Sequence, residues 1–210
     1  MIIFILRVYF IALCGKSHKV GIYNNYGINM NNLANMLTFS RILMIPLMVS
    51  AFYLNGNFSY WLTFSIFVTA GITDFLDGYV ARRFNQTSKL GTIMDPIADK
   101  LLIGTALLMM VAFGRIEGYS IIAAVIILCR EFAVSGLREF LAELKVSVPV
   151  TYLAKWKTGI QIFALGFLLV GEASPAIIPA ILIGDYLLGA AALLTLYTGY
   201  DYFRSGIRHL

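Results

Sequence analysis

Residues 74–100 read DFLDGYVARRFNQTSKLGTIMDPIADK, and the four aspartates in that stretch decide how the rest of the chain is read. Asp74 and Asp77 stand three apart, and Asp95 and Asp99 four apart, so on helices each pair shares one face. Both pairs fall at or inside apolar segments expected to span a bilayer. A carboxylate there costs about 3 kcal/mol even on gentle insertion scales, so four of them need a joint explanation. A short basic loop joins the two segments, which predicts antiparallel neighbours with both pairs near one end and at similar depth. Four carboxylates gathered in one wedge would repel. Hard oxygen donors with no His or Cys beside them favour Mg²⁺ or Mn²⁺ over zinc. Two such ions would clamp a pyrophosphate and activate an attacking oxygen. Pro96, directly after Asp95, is expected in the first turn of its helix.

The surrounding composition supports a membrane setting. Hydrophobic residues make up 60% of the 210 positions and charged residues only 13%, about half the share of a soluble domain. A water-soluble core of this length could not hide so much apolar side chain, so lipid is the expected solvent for much of the surface. The length suits a single domain. The net charge of +5 is read as loop charge in a membrane protein, not as a nucleic-acid site. Cys14 and Cys129 have no partnered spacing and indicate neither a disulfide framework nor a thiolate metal site.

Working outward from the aspartates gives an all-α membrane protein with six transmembrane helices, over roughly 37–54, 58–79, 97–113, 119–141, 153–170 and 176–200. Turn chemistry separates them, as at Asn55-Gly56-Asn57 and Val148-Pro149. Arg82, Arg83 and Lys89 lie between the second and third segments, Lys145, Lys155 and Lys157 between the fourth and fifth, and Arg204 and Arg208 after the sixth. The opposite loops hold only Arg115, balanced by Glu117. The positive-inside rule then places both termini and the basic loops in the cytoplasm, with the protein multi-pass in the cell (inner) membrane. Residues 1–29 are expected to be a dispensable extension, with the six-helix domain over 30–210, because Met30 opens MNNLANMLTFSR like a natural start.

Each remaining feature has a plain reading. Asp185 and Asp201 are assigned nothing, since a lone Asp near a helix end is usually a cap or solvated. Gly78, Ala81 and Gly91 are small residues that serve helix packing when taken singly. Thr38 and Arg41 read as the cap and the snorkelling cation of an interfacial helix start. Arg130 lies deeper in its apolar segment than snorkelling easily explains, with Glu131 as its candidate partner.

Written as spacing, the opening stretch is D-x-x-D-G, then A-R, eight residues, then G-x-x-x-D-x-x-x-D. Asp74, Asp77, Gly78, Ala81, Arg82, Gly91, Asp95 and Asp99 fill every fixed position. This resembles the signature of the CDP-alcohol phosphatidyltransferase family, and the likeness extends over nearly everything from Met30 onward. The resemblance implies attack of an alcohol on the lipid-bearing phosphorus of CDP-diacylglycerol, with loss of CMP and two divalent ions, Mg²⁺ or Mn²⁺, on the diphosphate. It implies Asp74, Asp77 and Asp95 as metal ligands, with Asp99 completing the shell or acting as general base; Asp95 and Asp99 carry the catalytic assignment. Gly78, Ala81, Arg82 and Gly91 would line the CDP site. Asn35, Leu37, Thr38 and Arg41 resemble an N-terminal signature on the nucleotide side. A homodimer is also implied.

The acceptor is read elsewhere. Arg130, Arg138, Lys155 and Lys157 together would make a cationic pocket for a phosphorylated alcohol. The segments Arg130-Glu131, Ser135, Leu137-Arg138-Glu139 and Lys155-Trp156-Lys157-Thr158, with Gln161, resemble the phosphatidylglycerophosphate synthase branch, whose acceptor is glycerol 3-phosphate. A cardiolipin synthase of the same fold, taking phosphatidylglycerol, is the nearest rival. A prenyltransferase would need Asp-rich motifs on separated helices. A carboxylate-based transporter would show repeated halves.

Overall fold

The computed structural model describes residues 30–84, 89–144 and 152–207, with side chains described over 40–75, 94–142, 144, 153 and 156–206. The expected extension 1–29 lies outside the described residues. The described chain is helical: α1 Met30–Phe52, α2 Asn57–Phe84, α3 Lys89–Ala112, α4 Ser120–Glu143, α5 Tyr152–Val170 and α6 Ala180–Ile207, with a 3₁₀ turn at Gly171–Ala173 before α6. No strand occurs among the described residues.

Each helix overlaps one of the six apolar segments, but several helices run further than the segments do. α1 begins at Met30, α2 runs on to Phe84, α3 starts at Lys89 and α6 continues to Ile207. Apolar runs mark only where hydrocarbon is tolerated, whereas backbone hydrogen bonding carries a helix on through polar sequence. Two sequence expectations change as a result. Thr38 is not at a helix start, and Pro96 lies in the interior of α3 instead of its first turn. A proline there removes one i→i−4 hydrogen bond from the helix.

Among the described residues, 120–142 and 180–206 are long and apolar enough to cross a bilayer, and 40–52 forms a shorter apolar stretch. Large apolar side chains such as Leu43, Leu108, Ile122 and Leu193 stay exposed on the outside of the bundle. That surface is costly in water and suits lipid, giving the chain the character of a membrane protein.

Packing runs in a different order from sequence. Among the described residues α1 lies against both α2 and α3, and α2 and α3 touch each other less. α1 thus also bridges the pair expected as antiparallel neighbours. α6 packs on α5 and α4, and α5 contacts α2. Gly184 allows the close α5–α6 approach: a Cβ there would lie 2.6 Å from Leu168 Cγ. Met48, Phe52, Phe67, Met110, Leu165, Leu168 and Leu188 fill the shared core.

The end of the bundle away from the aspartates is closed by Arg115, in the turn between α3 and α4. Its Nη1 donates to Thr63 Oγ1 at 2.9 Å and to the Leu169 carbonyl at 3.1 Å, and Nη2 donates to Ser59 Oγ at 2.9 Å. The guanidinium also lies 4.4 Å from the Phe52 ring centroid and 3.9 Å from that of Tyr60. Burial presses its pKa down from the ordinary guanidinium value, and Tyr60 opposes that shift. Glu117 offsets this charge only in the net charge of the loop: no Arg115–Glu117 ion pair is found among the described residues. Neutral oxygens and aromatic faces hold this charge instead.

Candidate active site

Asp74 sits on α2, and Asp95 and Asp99 on α3. Asp74 and Asp95 meet at a side chain from a third helix. Arg41 of α1 places Nη1 2.6 Å from Asp74 Oδ1 and Nη2 3.8 Å from Asp95 Oδ1. The arginine is 1% exposed, whereas the two carboxylates are 49% and 45% exposed. Arg41 therefore does not snorkel to the interface; it is an interior cation that joins carboxylates from two helices. A sequence signal existed: it is the lone charge in the apolar part of α1, and a cation within an apolar bundle calls for an anionic partner.

Asp99 stands four residues after Asp95, one helical turn on, and is accessible. It lies within electrostatic reach of Asp74, Arg41 and Glu131. The aspartate wedge is thus within electrostatic reach of a second charged cluster built from α4, α5 and α6.

In that second cluster Lys157 of α5, 3% exposed, donates to Glu131 Oε1. Arg130 Nη1 lies 3.7 Å from the same oxygen, and Arg130 Nη2 donates to Thr198 Oγ1 of α6 at 3.0 Å. Glu131 was expected to partner Arg130; the structure adds that it holds Lys157 as well, leaving two cations to one anion. Gly199 makes room for the arginine stem, since a Cβ there would lie 3.1 Å from Arg130 Cγ. One turn deeper on the same faces stand Gln161 and Thr195, whose buried Oε1 and Oγ1 find no hydrogen-bond partner among the described residues. Thr195, Thr198 and Gly199 escaped the sequence reading because α6 looked like an ordinary apolar span.

The other expected site residues divide clearly. Arg138 belongs two turns along α4 from Arg130 and lies 5.6 Å over the Tyr202 ring, outside the ionic cluster. The α1 residues Asn35 and Thr38, the α2 residues Asp77, Gly78, Ala81 and Arg82, Gly91 on α3 and Lys155 on α5 have side chains outside the described set.

Among the described residues no three Asp, Glu, His or Cys side chains stand close enough to enclose a metal by themselves. Asp74 and Asp95 nevertheless fit part of a hard-cation site. They supply only oxygen, are half exposed, and are aligned on rigid helices by one guanidinium. With divalent ions bound, such a site would offset the charge of an incoming diphosphate, and the neighbouring Arg130–Lys157 cluster can hold a second anion.

Comparison with known proteins agrees with this chemistry. A family model described as CDP-alcohol phosphatidyltransferase matches residues 31–197. A protein of Rickettsia felis is 48% identical over 174 residues, 83% of this chain and 94% of its own length. One from Rickettsia typhi is 47% identical over 84% of this chain and 97% of its own length, and one from Haemophilus influenzae is 39% identical over 82% and 92%. All three are named CDP-diacylglycerol–glycerol-3-phosphate 3-phosphatidyltransferase. With the signature aspartates on adjacent helices and the match spanning most of its length, the chain belongs to the CDP-alcohol phosphatidyltransferase family.

Proposed function

We propose that this protein transfers the phosphatidyl group of CDP-diacylglycerol to glycerol 3-phosphate, giving phosphatidylglycerophosphate and CMP for phospholipid synthesis. The observation that carries this reading is the junction of two charged clusters. A carboxylate wedge at Arg41 adjoins a net-cationic cluster at Arg130, Glu131 and Lys157, with Asp99 within reach of both. The shared name of the relatives supports the same acceptor.

The family is generally dependent on divalent metal. Asp74, Asp77, Asp95 and Asp99 would hold two ions, Mg²⁺ or Mn²⁺, which when bound offset the diphosphate charge and polarise the phosphorus. Gly78, Ala81, Arg82 and Gly91, with Asn35, Thr38 and Arg41, would form the CDP side. Arg130 and Lys157 bind the acceptor phosphate, with Arg138 and Lys155 adding positive field. Glu131 keeps both cations oriented. The acceptor hydroxyl gives its proton to Asp99, its oxygen bonds to the lipid-bearing phosphorus, and the bond from that phosphorus to the CMP oxygen breaks. The six helices span the inner membrane, both termini and the site face the cytoplasm, and the enzyme works as a homodimer. Support for the six spans is the six apolar segments and their loop charge asymmetry.

The test is the detergent-purified protein supplied with CDP-diacylglycerol, Mg²⁺ or Mn²⁺, and one acceptor at a time: glycerol 3-phosphate, phosphatidylglycerol, serine or inositol phosphate. CMP release with lipid product from glycerol 3-phosphate alone is expected. Turnover with phosphatidylglycerol instead would make it a cardiolipin synthase. No CMP from any acceptor would defeat the assignment.

A further inference from the structure

We propose that Arg41 is the resident counter-cation of the aspartate wedge, a positioning residue that makes divalent-ion loading depend on the arrival of the nucleotide diphosphate. The inference rests on the reading of Asp74 and Asp95 as ion-holding residues, and goes beyond it by assigning a coupling role to a residue of α1.

The geometry separates front from back. Arg41 is fully buried, and the two carboxylates it contacts are half exposed. The guanidinium takes Oδ1 of Asp74 at 2.6 Å and approaches Oδ1 of Asp95 at 3.8 Å. Its planar fork suits carboxylates carried on two different helices. α1 packs against both α2 and α3, so the cation is fixed by the bundle and is not a tethered surface charge.

An ion entering from the exposed side therefore meets carboxylates already partly neutralised. It also meets a fixed positive charge in contact with the same two groups. With both ions loaded, the four carboxylates and Arg41 leave the wedge with one surplus positive charge beside a buried guanidinium, where like charges are weakly screened. A diphosphate supplies the anion that restores the balance. Ion and diphosphate thus bind better together than apart, and by linkage each tightens the other through Arg41 as well as through direct contact.

The test measures ion affinity apart from turnover. The full chain in detergent is titrated with Mn²⁺, and free Mn²⁺ is read by electron paramagnetic resonance, with and without cytidine diphosphate. Wild type is expected to bind Mn²⁺ weakly alone and more tightly with the nucleotide. Arg41→Gln removes the competing charge: its Mn²⁺ affinity without nucleotide rises about tenfold, and the tightening produced by nucleotide shrinks by a similar factor. Arg41→Lys, whose single ammonium cannot bridge both carboxylates, falls between the two. Mn²⁺ affinity in Arg41→Gln equal to or below wild type overturns the proposal and leaves Arg41 a helix tie. If the glutamine variant does not fold, Arg41→Lys decides by the same criterion, a gain supporting the coupling and no gain overturning it. Asp95→Asn separates the two levels of inference. Wild-type protein that binds no Mn²⁺, or binding undiminished in Asp95→Asn, overturns the ion-site reading and this coupling with it.

Discussion

Two interior arginines, Arg41 and Arg115, lie toward opposite ends of the same helices and are satisfied in opposite ways. Eleven residues separate Arg41 from Phe52 on α1, and eleven separate Thr63 from Asp74 on α2, about 16 Å of helix in each case. Arg115 is met by two hydroxyls, a carbonyl and two aromatic faces. Those partners are neutral, and the end they close has no net demand for a ligand. Arg41 is met by two carboxylates that remain half exposed. One end of the bundle is closed by neutral groups; the other presents half-exposed carboxylates that a ligand can reach. A buried cation is thus no marker of function in itself, and the chemistry of its partners decides.

The comparison breaks most sharply at Asp95. Asp95→Asn should lower turnover by about 10³-fold or more, the scale of losing a group that stabilises transition-state charge. Expression and membrane insertion should survive, because Arg41 keeps its closer partner Asp74. CMP release per folded molecule measures it, and substantial activity would remove the two-ion assignment.

The opposite end should show the reverse pattern. Arg115→Met strips the hydroxyls of Ser59 and Thr63 and the Leu169 carbonyl of their donor, at a cost of about 2–3 kcal/mol. The melting temperature in detergent should fall by several degrees, while turnover per folded molecule stays near wild type. Loss of activity without loss of stability would join the two ends functionally and cancel the contrast.

Sequence reading reached the two ends unequally. The six helices were visible because each apolar run is cut off by turn residues. Their ends were not, since α2 and α3 continue as helix through the polar signature. The aspartates stood out because four carboxylates in apolar sequence have no inexpensive explanation. The insertion of α1 beside both α2 and α3 was hidden: a short loop announces which helices follow each other in sequence, not which helix packs against both. Arg41 was therefore read as a snorkelling cation or a nucleotide-side residue, and its place between two aspartates was not foreseen. Arg115 was legible only as a loop charge offset by Glu117, whereas its partners lie more than fifty residues away in either direction. The Arg130–Glu131 contact was legible because the two are adjacent; Lys157 joins it only through the packing of α4 and α5 around α6.

Within the ligand-facing half, the acceptor cluster gives the next effect. Lys157→Met should raise KM for glycerol 3-phosphate about tenfold, with KM for CDP-diacylglycerol little changed, as expected for one charge-assisted contact. Glu131→Gln is the companion variant: both cations lose their shared anion, so the acceptor KM should change with an altered salt dependence. Equal changes in the two substrates' KM would place Lys157 on the CDP side.

The smallest effect is expected at Arg138, and it sharpens the contrast by showing where the ligand-facing region ends. Arg138 shares a helix with Arg130 but rests 5.6 Å over the Tyr202 ring, apart from the Glu131–Lys157 pair. An exposed cation–π contact is worth about 0.5–1 kcal/mol. Its only other contribution is long-range field, which salt screens. Arg138→Gln should therefore raise the acceptor KM by no more than about twofold to threefold, and the difference should vanish at high ionic strength. A tenfold, salt-resistant rise would place Arg138 in direct contact with the acceptor phosphate. The cationic pocket would then extend two turns beyond the Glu131 cluster, as the spacing of the arginines on α4 first implied.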